Sequence, residues 1–282
     1  MLRKFGTLWK SYKYRFVPWL AFNFHKRSVR SVKDRGVDKI IPECVLLDQL
    51  RALTSALLQA QTWALPTIQC HHQLSYHLAL QLFLQVMEET YGFHVYRAPS
   101  SLGGLGVLAT TDRSCHVAVQ QGQLVALYPG TIYLPVQPIF FQSINNPFIF
   151  RCIDGIMVDG NDKRISKALF KSCSSRDRVG PFPIADTSWL TDCLVNPLNV
   201  GQYVNNQSLD ITGHSSNVAY QEMTIHPGDV PLEERQYLPN LWYSPPEALP
   251  VMDLPLRIVG LVATRNIQKG EELLSDYFTI IY

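Results

Sequence analysis

Four short segments of this sequence combine residue types from which a small-molecule site can be built. Ser101-Leu102-Gly103-Gly104-Leu105-Gly106-Val107-Leu108-Ala109 gathers Gly103, Gly104 and Gly106, where a backbone without Cβ atoms can pass close to a ligand. Leu127-Tyr128-Pro129-Gly130-Thr131-Ile132-Tyr133 sets a tyrosine ahead of a Pro-Gly turn. Gly201-Gln202-Tyr203-Val204-Asn205-Asn206, with Asn217-Val218 downstream, offers carboxamides that donate and accept hydrogen bonds at once. Ala263-Thr264-Arg265-Asn266-Ile267-Gln268-Lys269-Gly270-Glu271-Glu272-Leu273-Leu274-Ser275-Asp276-Tyr277 ends on an Asp-Tyr pair. Taken singly these are a turn, a turn, a cap and a loop running into a strand. Several familiar sites are absent from the sequence. Gly103-Gly104-Leu105-Gly106 is neither a dinucleotide fingerprint nor a P-loop, since no Gly-Lys-Ser/Thr follows. No His-Glu-x-x-His and no Gly-x-Ser-x-Gly occurs. Cys70, His71, His72 and His77 lack the i, i+4 spacing that brings two imidazoles together on a helix, so they read as a polar helix start.

In order and approximate spacing, the four segments resemble the SET domain of protein lysine methyltransferases, across residues 98–278, about two thirds of the chain. The run from Ala263 to Tyr277 is the most specific of them. The resemblance implies S-adenosyl-L-methionine as methyl donor and a protein or peptide lysine as acceptor. It implies cofactor contacts from Gly104, Gly106, Asn205, Asn206 and Tyr277. It also implies a catalytic pair in which Tyr277 supplies a hydroxyl at the transfer point and Tyr128 lines the lysine pocket. The implied fold is a SET-type β-clip with a threaded, knot-like C-terminal segment. Three positions depart from the pattern: Gln202 stands for an arginine, Thr131 for a glutamate and Asn206 for a histidine. A polar insertion starting at Gln207-Ser208 replaces the usual continuation and reaches Asn217. No cysteine follows Cys193, so the zinc-binding segment that covers the lysine channel in many relatives is not expected. The alternative is a catalytically silent SET module that binds a peptide or protein partner.

The surrounding elements must position these segments. Pro42-Glu43 opens a helical stretch in which Leu46, Leu50, Leu53 and Leu57 recur on one stripe, and Pro66 ends or interrupts it. A second helix runs from about His72 to Thr90, with Leu74, Leu78, Leu82 and Val86 on one face, widened by Leu80, Phe83 and Met87; Tyr91-Gly92 stops it. From about Val95 short β-rich runs alternate with turn residues: 106–109, 117–119, 124–128, 148–150, 155–158, 201–204, 217–220 and 258–262. Only short helices fit between them, one around Thr187 to Leu194. The expected class is therefore mostly β and mostly antiparallel, with a helical N-terminal extension (α+β). The expected division is a basic aromatic tail and linker at 1–37, a helical hairpin at 38–97 and a SET domain at 98–282, with 138–197 and 207–216 as insert regions.

Charge is distributed unevenly. The net charge is +2, yet residues 1–33 hold nine Lys/Arg and no acid, which leaves a remainder with a net charge of −7. Between those cations lie Phe5, Trp9, Tyr12, Tyr14, Phe16, Trp19, Phe22 and Phe24. Three readings stand: a mitochondrial targeting segment, a contact with nucleic acid or anionic lipid, or a helix docked on the body by its aromatic face. The location is then mitochondrial or nuclear/cytosolic. Residues 28–39 read as a linker. A chain of 282 residues that is 46% hydrophobic and 17% charged buries a sizeable core, which rules out global disorder. No apolar run reaches membrane-spanning length, no secretory leader is apparent, and six scattered cysteines read as reduced thiols of an intracellular protein.

Overall fold

The structure is a computed structural model and describes residues 12–13, 29–33, 35–68, 74–206, 216–245, 249–276 and 278–281. Helices α1 (Glu43–Ile68) and α2 (Leu74–Tyr91) form the expected N-terminal hairpin. Leu46, Leu50, Leu53 and Leu57 of α1 are all fully buried, as their spacing requires. Pro66 does not end α1, which runs on to Ile68. It falls in the last turn, two residues before the helix ends. The buried face of α2 centres on Phe83, Val86 and Met87; Leu78, placed on the apolar stripe by spacing, is 52% exposed. Gly92 terminates α2 in a left-handed conformation, with φ of 81°, and its N–H donates to the Glu88 carbonyl at 2.8 Å.

The β strands are β1 (Tyr12–Lys13), β2 (Val29–Val32), β3 (His94–Pro99), β4 (Leu105–Thr110), β5 (Val117–Val119), β6 (Leu124–Leu127), β7 (Gly130–Tyr133), β8 (Ile149–Arg151) and β9 (Met157–Asp159). They continue with β10 (Asn205–Asn206), β11 (Val218–Ile225), β12 (Asn240–Trp242), β13 (Leu256–Ala263), β14 (Ile267–Gln268), β15 (Leu274–Ser275) and β16 (Phe278–Ile281). The largest sheet runs β10-β15-β11-β13-β6, with β15 inserted in parallel between β10 and the start of β11. A second sheet runs β12-β7-β9-β8, and β3 pairs with β4 and β5 with β14. Most pairings are antiparallel; β10–β15, β11–β15, β7–β12 and β2–β16 are parallel.

Two readings of local structure are corrected here. Residues 201–204 form no strand: Gly201–Tyr203 is a 3-10 turn. A Cβ at Gly201 would meet the Leu127 carbonyl, so the glycine permits a close backbone crossing. The interval between strands also holds more than short helices: α3 (Phe140–Ser143) is brief, but α4 (Arg164–Arg176) spans 13 residues. Its buried positions are Ser166, Phe170, Cys173 and Ser174, one helical face made largely of small polar residues, which an apolar count overlooks. Around Thr187 to Leu194 the helical part is the 3-10 turn Ser188–Leu190. A further short helix is α5 (Leu232–Arg235).

The hairpin shares one core with the sheets. Leu46, Leu50, Leu53, Leu57, Phe83 and Met87 pack in the same buried cluster as Leu124, Val259 and Leu261. Side-chain amides pin the contact. Leu124 N–H donates to Gln49 Oε1 at 2.7 Å, and Gln49 Nε2 to the Gly122 carbonyl at 3.1 Å. The Gln221 Oε1 accepts from the Ile40 and Ile41 N–H groups at 2.8 and 3.1 Å. Thr54 Oγ1 donates to Glu234 Oε2 at 2.6 Å inside the core.

The segment read as a linker carries β2 and a 3-10 turn at Arg35–Asp38, closed by an Arg30–Asp38 ion pair at 3.2 Å. The described parts of the N-terminal tail include two strands; its aromatic positions other than Tyr12 lie outside the described residues. β16 lies between β1 and β2, with Phe278 opposite Val29 and Tyr12 opposite Ile280. The rest of residues 1–28, like Cys70, His71 and His72, lies outside the described residues. Among the described residues no helix is long and apolar enough to cross a membrane.

Burial raises the carboxyl of Asp159 to about 6, against which the hydrogen bonds from Ser166, Asn146 and Asn161 act only in part. Its Oδ2 has no partner among the described residues. The folded state therefore favours the neutral acid. Stability from this group is present below the unfolded carboxylate pKa and is lost as pH rises through the folded one. Asp159→Asn is expected to lose about 2 kcal/mol less than wild type between about pH 4 and pH 6.5. Urea unfolding across that range checks this, and parallel pH profiles would refute it.

Candidate functional site

The glycine-rich segment forms the turn joining β3 to β4. Ser100 N–H donates to the Gly104 carbonyl at 3.0 Å and Gly103 N–H to the Ser100 carbonyl at 3.1 Å. Gly103 and Gly104 have φ of 99° and 71°, and a Cβ on either would meet nothing within 4 Å. The outer side of the turn is thus open, with left-handed backbone that favours glycine. Gly106 is glycine for a different reason. A Cβ there would collide with the Glu272 carboxylate and approach Ser100 Cβ to 3.1 Å.

Glu272 is the centre of this cluster. Asn205 Nδ2 donates to Glu272 Oε1 at 2.9 Å and to the Leu105 carbonyl at 3.1 Å. Ser100 Oγ donates to Glu272 Oε2 at 3.0 Å. Gly106 and Asn205, 99 positions apart in sequence, therefore meet across one carboxylate. Glu272 was not among the site residues expected from the sequence. The signal was present, because the Gly270-Glu271-Glu272 run lay within the fourth segment but read only as a loop entering a strand. Asn206 stands opposite Ser275 in the β10–β15 register.

The segment ahead of Tyr277 is held by Asn217, which is fully buried. Its Nδ2 donates to Glu271 Oε1 at 2.9 Å and to the Glu272 carbonyl at 2.8 Å, while its Oδ1 accepts the Leu274 N–H at 2.8 Å. Glu271 is tied in turn to Arg265 Nη2 at 2.6 Å and to the Gln268 N–H at 2.8 Å. Burial pushes the Glu271 carboxyl up, but these hydrogen bonds and the Arg265 charge outweigh it and hold the carboxyl below its ordinary value.

Tyr128 is fully buried, and its hydroxyl donates to the Phe148 carbonyl at 2.8 Å. Its ring packs on Phe150, at 5.4 Å between centroids, and edge-on to Tyr220 at 6.2 Å. Ser275 Oγ lies 3.2 Å from the Tyr220 hydroxyl and 3.4 Å from the Asn205 carbonyl. The contacts running through Tyr128, Tyr220, Ser275 and Asn205 thus connect the expected acceptor side to the expected cofactor side. Beside them opens a cavity of ≈ 260 Å³ lined by Arg30, Ser216, Tyr220, Thr264 and Asp276 among others. Tyr277 itself lies outside the described residues; its neighbour Asp276 lines this cavity. Gly104 sits on the open turn rather than in the Glu272 cluster. Of the departing positions, Gln202 is buried with neither amide atom bonded, and the Thr131 hydroxyl is buried without a partner, both among the described residues.

Among the described residues, two groupings elsewhere have metal-ligand chemistry, and internal bonds engage both. Arg257 pairs with Glu222 at 3.1 Å and with Asp154, the two carboxylates that stand beside Cys152. Glu88 accepts from Thr111 Oγ1 at 2.6 Å and the Asp112 N–H at 3.1 Å, and its Oε2 lies 2.9 Å from His94 Nδ1.

A glycine turn, a carboxamide and a carboxylate meet beside an inserted C-terminal strand, an arrangement that suits the SET class. Comparison with known proteins agrees with that class. No family model matches the chain. All of it aligns with human SET domain-containing protein 9, at 40% identity over 311 residues covering 98% of that protein. SET domain-containing protein 9 of Pongo abelii is 50% identical over 199 residues, covering 70% of this chain and 68% of its own length. The chain belongs to the SET domain-containing protein 9 family. A Plasmodium falciparum crystal structure ascribed to a putative histone methyltransferase overlaps 65% of this chain and 92% of its own, at 14% identity. With a TM-score of 0.31, that likeness is too slight to bear on fold or function.

Proposed function

We propose that the protein is an S-adenosyl-L-methionine-dependent methyltransferase acting on protein lysine side chains. The observation that carries the reading is the convergence of Gly106, Asn205 and Glu272 next to the strand that leads into Tyr277. These residues suit an amino-acid sulfonium. The turn at Gly103 and Gly104 leaves room on its outer side for close approach of a ligand, and the Asn205 carboxamide suits a zwitterion. Glu272 places negative charge where a cationic ligand gains from it. When bound, the cofactor supplies an electrophilic methyl group.

The chain's own residues do the remainder. A lysine amine must react neutral, and at pH 7 its deprotonation costs on the order of 4–5 kcal/mol from a free pKa near 10.4. The aromatic cluster of Tyr128, Phe150 and Tyr220 provides the low-polarity wall that disfavours the ammonium. The Tyr128 hydroxyl, engaged by Phe148, acts as a fixed part of that wall. The Tyr277 hydroxyl orients the amine, and alignment supplies most of the acceleration. The threaded, knot-like C-terminal segment belongs to the same reading.

Titration calorimetry tests the site. Wild type is expected to bind S-adenosyl-L-methionine, with Asn205→Ala weakening binding about tenfold or more and Gly106→Val at least as much. The first variant strands a paired polar group, and the second drives a side chain into Glu272. Equal affinity in all three proteins would remove the site. Binding without transfer to any protein would favour the silent module, the reading that the replacements at Thr131, Gln202 and Asn206 support.

A further inference from the structure

Among the described residues, exposed large apolar side chains gather on the insert after β7. Val136, Phe140 and Phe141 are 89%, 69% and 71% exposed, and Ile144 and Ile165 are about half exposed. Phe140 and Phe141 are consecutive on the one-turn helix α3 and stack edge-on at 5.6 Å, so both rings project from its tip. Soluble proteins scatter single exposed apolar residues, whereas clustered large ones mark an interaction surface.

The walls of the adjoining cavity carry cations and no acid. Asp162, next to Lys163 in sequence, is engaged instead by the Tyr203 hydroxyl at 2.6 Å. Ile144 and Ile165 line a cavity of ≈ 250 Å³ together with Asn145, Asn161, Lys163 and Arg164. Lys163 and Arg164 are exposed. Arg164 has a φ of 52° and Asn145 one of 55°, left-handed conformations uncommon outside glycine, so backbone strain is concentrated on the walls of this cavity.

We propose that the α3 tip and the Lys163–Arg164 cavity form a docking surface for an anionic phospholipid bilayer. The geometry selects a bilayer over an acidic peptide. Phe140 and Phe141 project from a one-turn helix, which suits insertion between acyl chains, while Lys163 and Arg164 line the cavity that Ile144 shares. The cavity then receives an anionic headgroup, and the tip enters the hydrocarbon edge. None of this depends on the methyltransferase reading.

The test uses the full chain and co-sedimentation with phosphatidylcholine vesicles, with or without about one third phosphatidylserine. Wild type is expected to sediment with the anionic vesicles and not with the neutral ones. Phe140→Ser/Phe141→Ser and Lys163→Glu/Arg164→Glu should each lower partitioning about tenfold or more, with unfolding midpoints near wild type because these side chains are exposed. If wild type fails to bind, or if the variants bind as well as it does, the proposal is overturned. The second result would place any lipid contact in the basic tail at 1–33. Concentration-dependent self-association that is lost in the phenylalanine variant, without vesicle binding, would instead assign the surface to a second copy of the chain.

Discussion

Tyr277→Phe is expected to fold, to bind S-adenosyl-L-methionine and to lose at least about 100-fold in methyl transfer. The substitution keeps the ring and removes one hydroxyl, so packing changes little. The two residues before Tyr277 are held independently of it. Ser275 touches the Asn205 carbonyl and the Tyr220 hydroxyl, and Asp276 accepts from Ser216 Oγ at 2.7 Å. The backbone that delivers the side chain should therefore stay in place. The loss corresponds to about 3 kcal/mol of barrier, the usual weight of a hydroxyl that positions a reacting group. Transfer of labelled methyl to proteins of a cell extract measures it, with a melting temperature within a few degrees of wild type as the control. Full activity in the variant would move the catalytic centre elsewhere. If wild type binds the cofactor and labels nothing, the silent module becomes the better reading.

What the sequence revealed of this site depended on residue type. Gly106 and Asn205 were legible because glycine and asparagine are informative at fixed spacing, and the structure joins them. The residue that joins them, Glu272, stayed hidden. A glutamate in a Gly-Glu-Glu run carries no local sign that it will face a β-turn more than 160 positions away. Asn217 was seen only as a downstream asparagine, although its side chain holds the segments at 271–274 together. Periodicity found the helical hairpin and most strands where one face was apolar. It failed at α4, whose buried face relies on Ser166 and Ser174, and at Gly201–Tyr203, whose β-like composition is overridden by a close backbone crossing. Strand partners across the whole chain were also illegible. Nothing local in Val29–Val32 tells that it pairs with Phe278–Ile281. The basic tail was read through its charge, and that pairing is set by backbone hydrogen bonds.

The hairpin and the sheets are expected to unfold as one unit, and Leu50→Ala tests this most directly. Leu50 is fully buried and sits in a single core with Leu124, Val259 and Leu261. Removing its branched end leaves a cavity that α1 cannot close, because its neighbours are pinned: Gln49 is bonded to Leu124 and Gly122, and Thr54 to Glu234. Poor relaxation puts the cost toward the upper part of the usual range, about 3–5 kcal/mol. If the core is shared, unfolding stays a single transition that moves to lower denaturant with an unchanged slope. Cofactor affinity measured well below that transition should remain near wild type, since no residue of the Gly106–Asn205–Glu272 cluster lies on α1. A second, earlier transition confined to helical signal, with the β signal unaffected, would show instead that the hairpin is a separable domain. The amides of Gln49 and Gln221 would then be surface contacts between two folded bodies. The predicted outcome makes α1 part of the wall behind β6 and β13, so that the helix supports the sheet from which Tyr128 reaches the aromatic cluster.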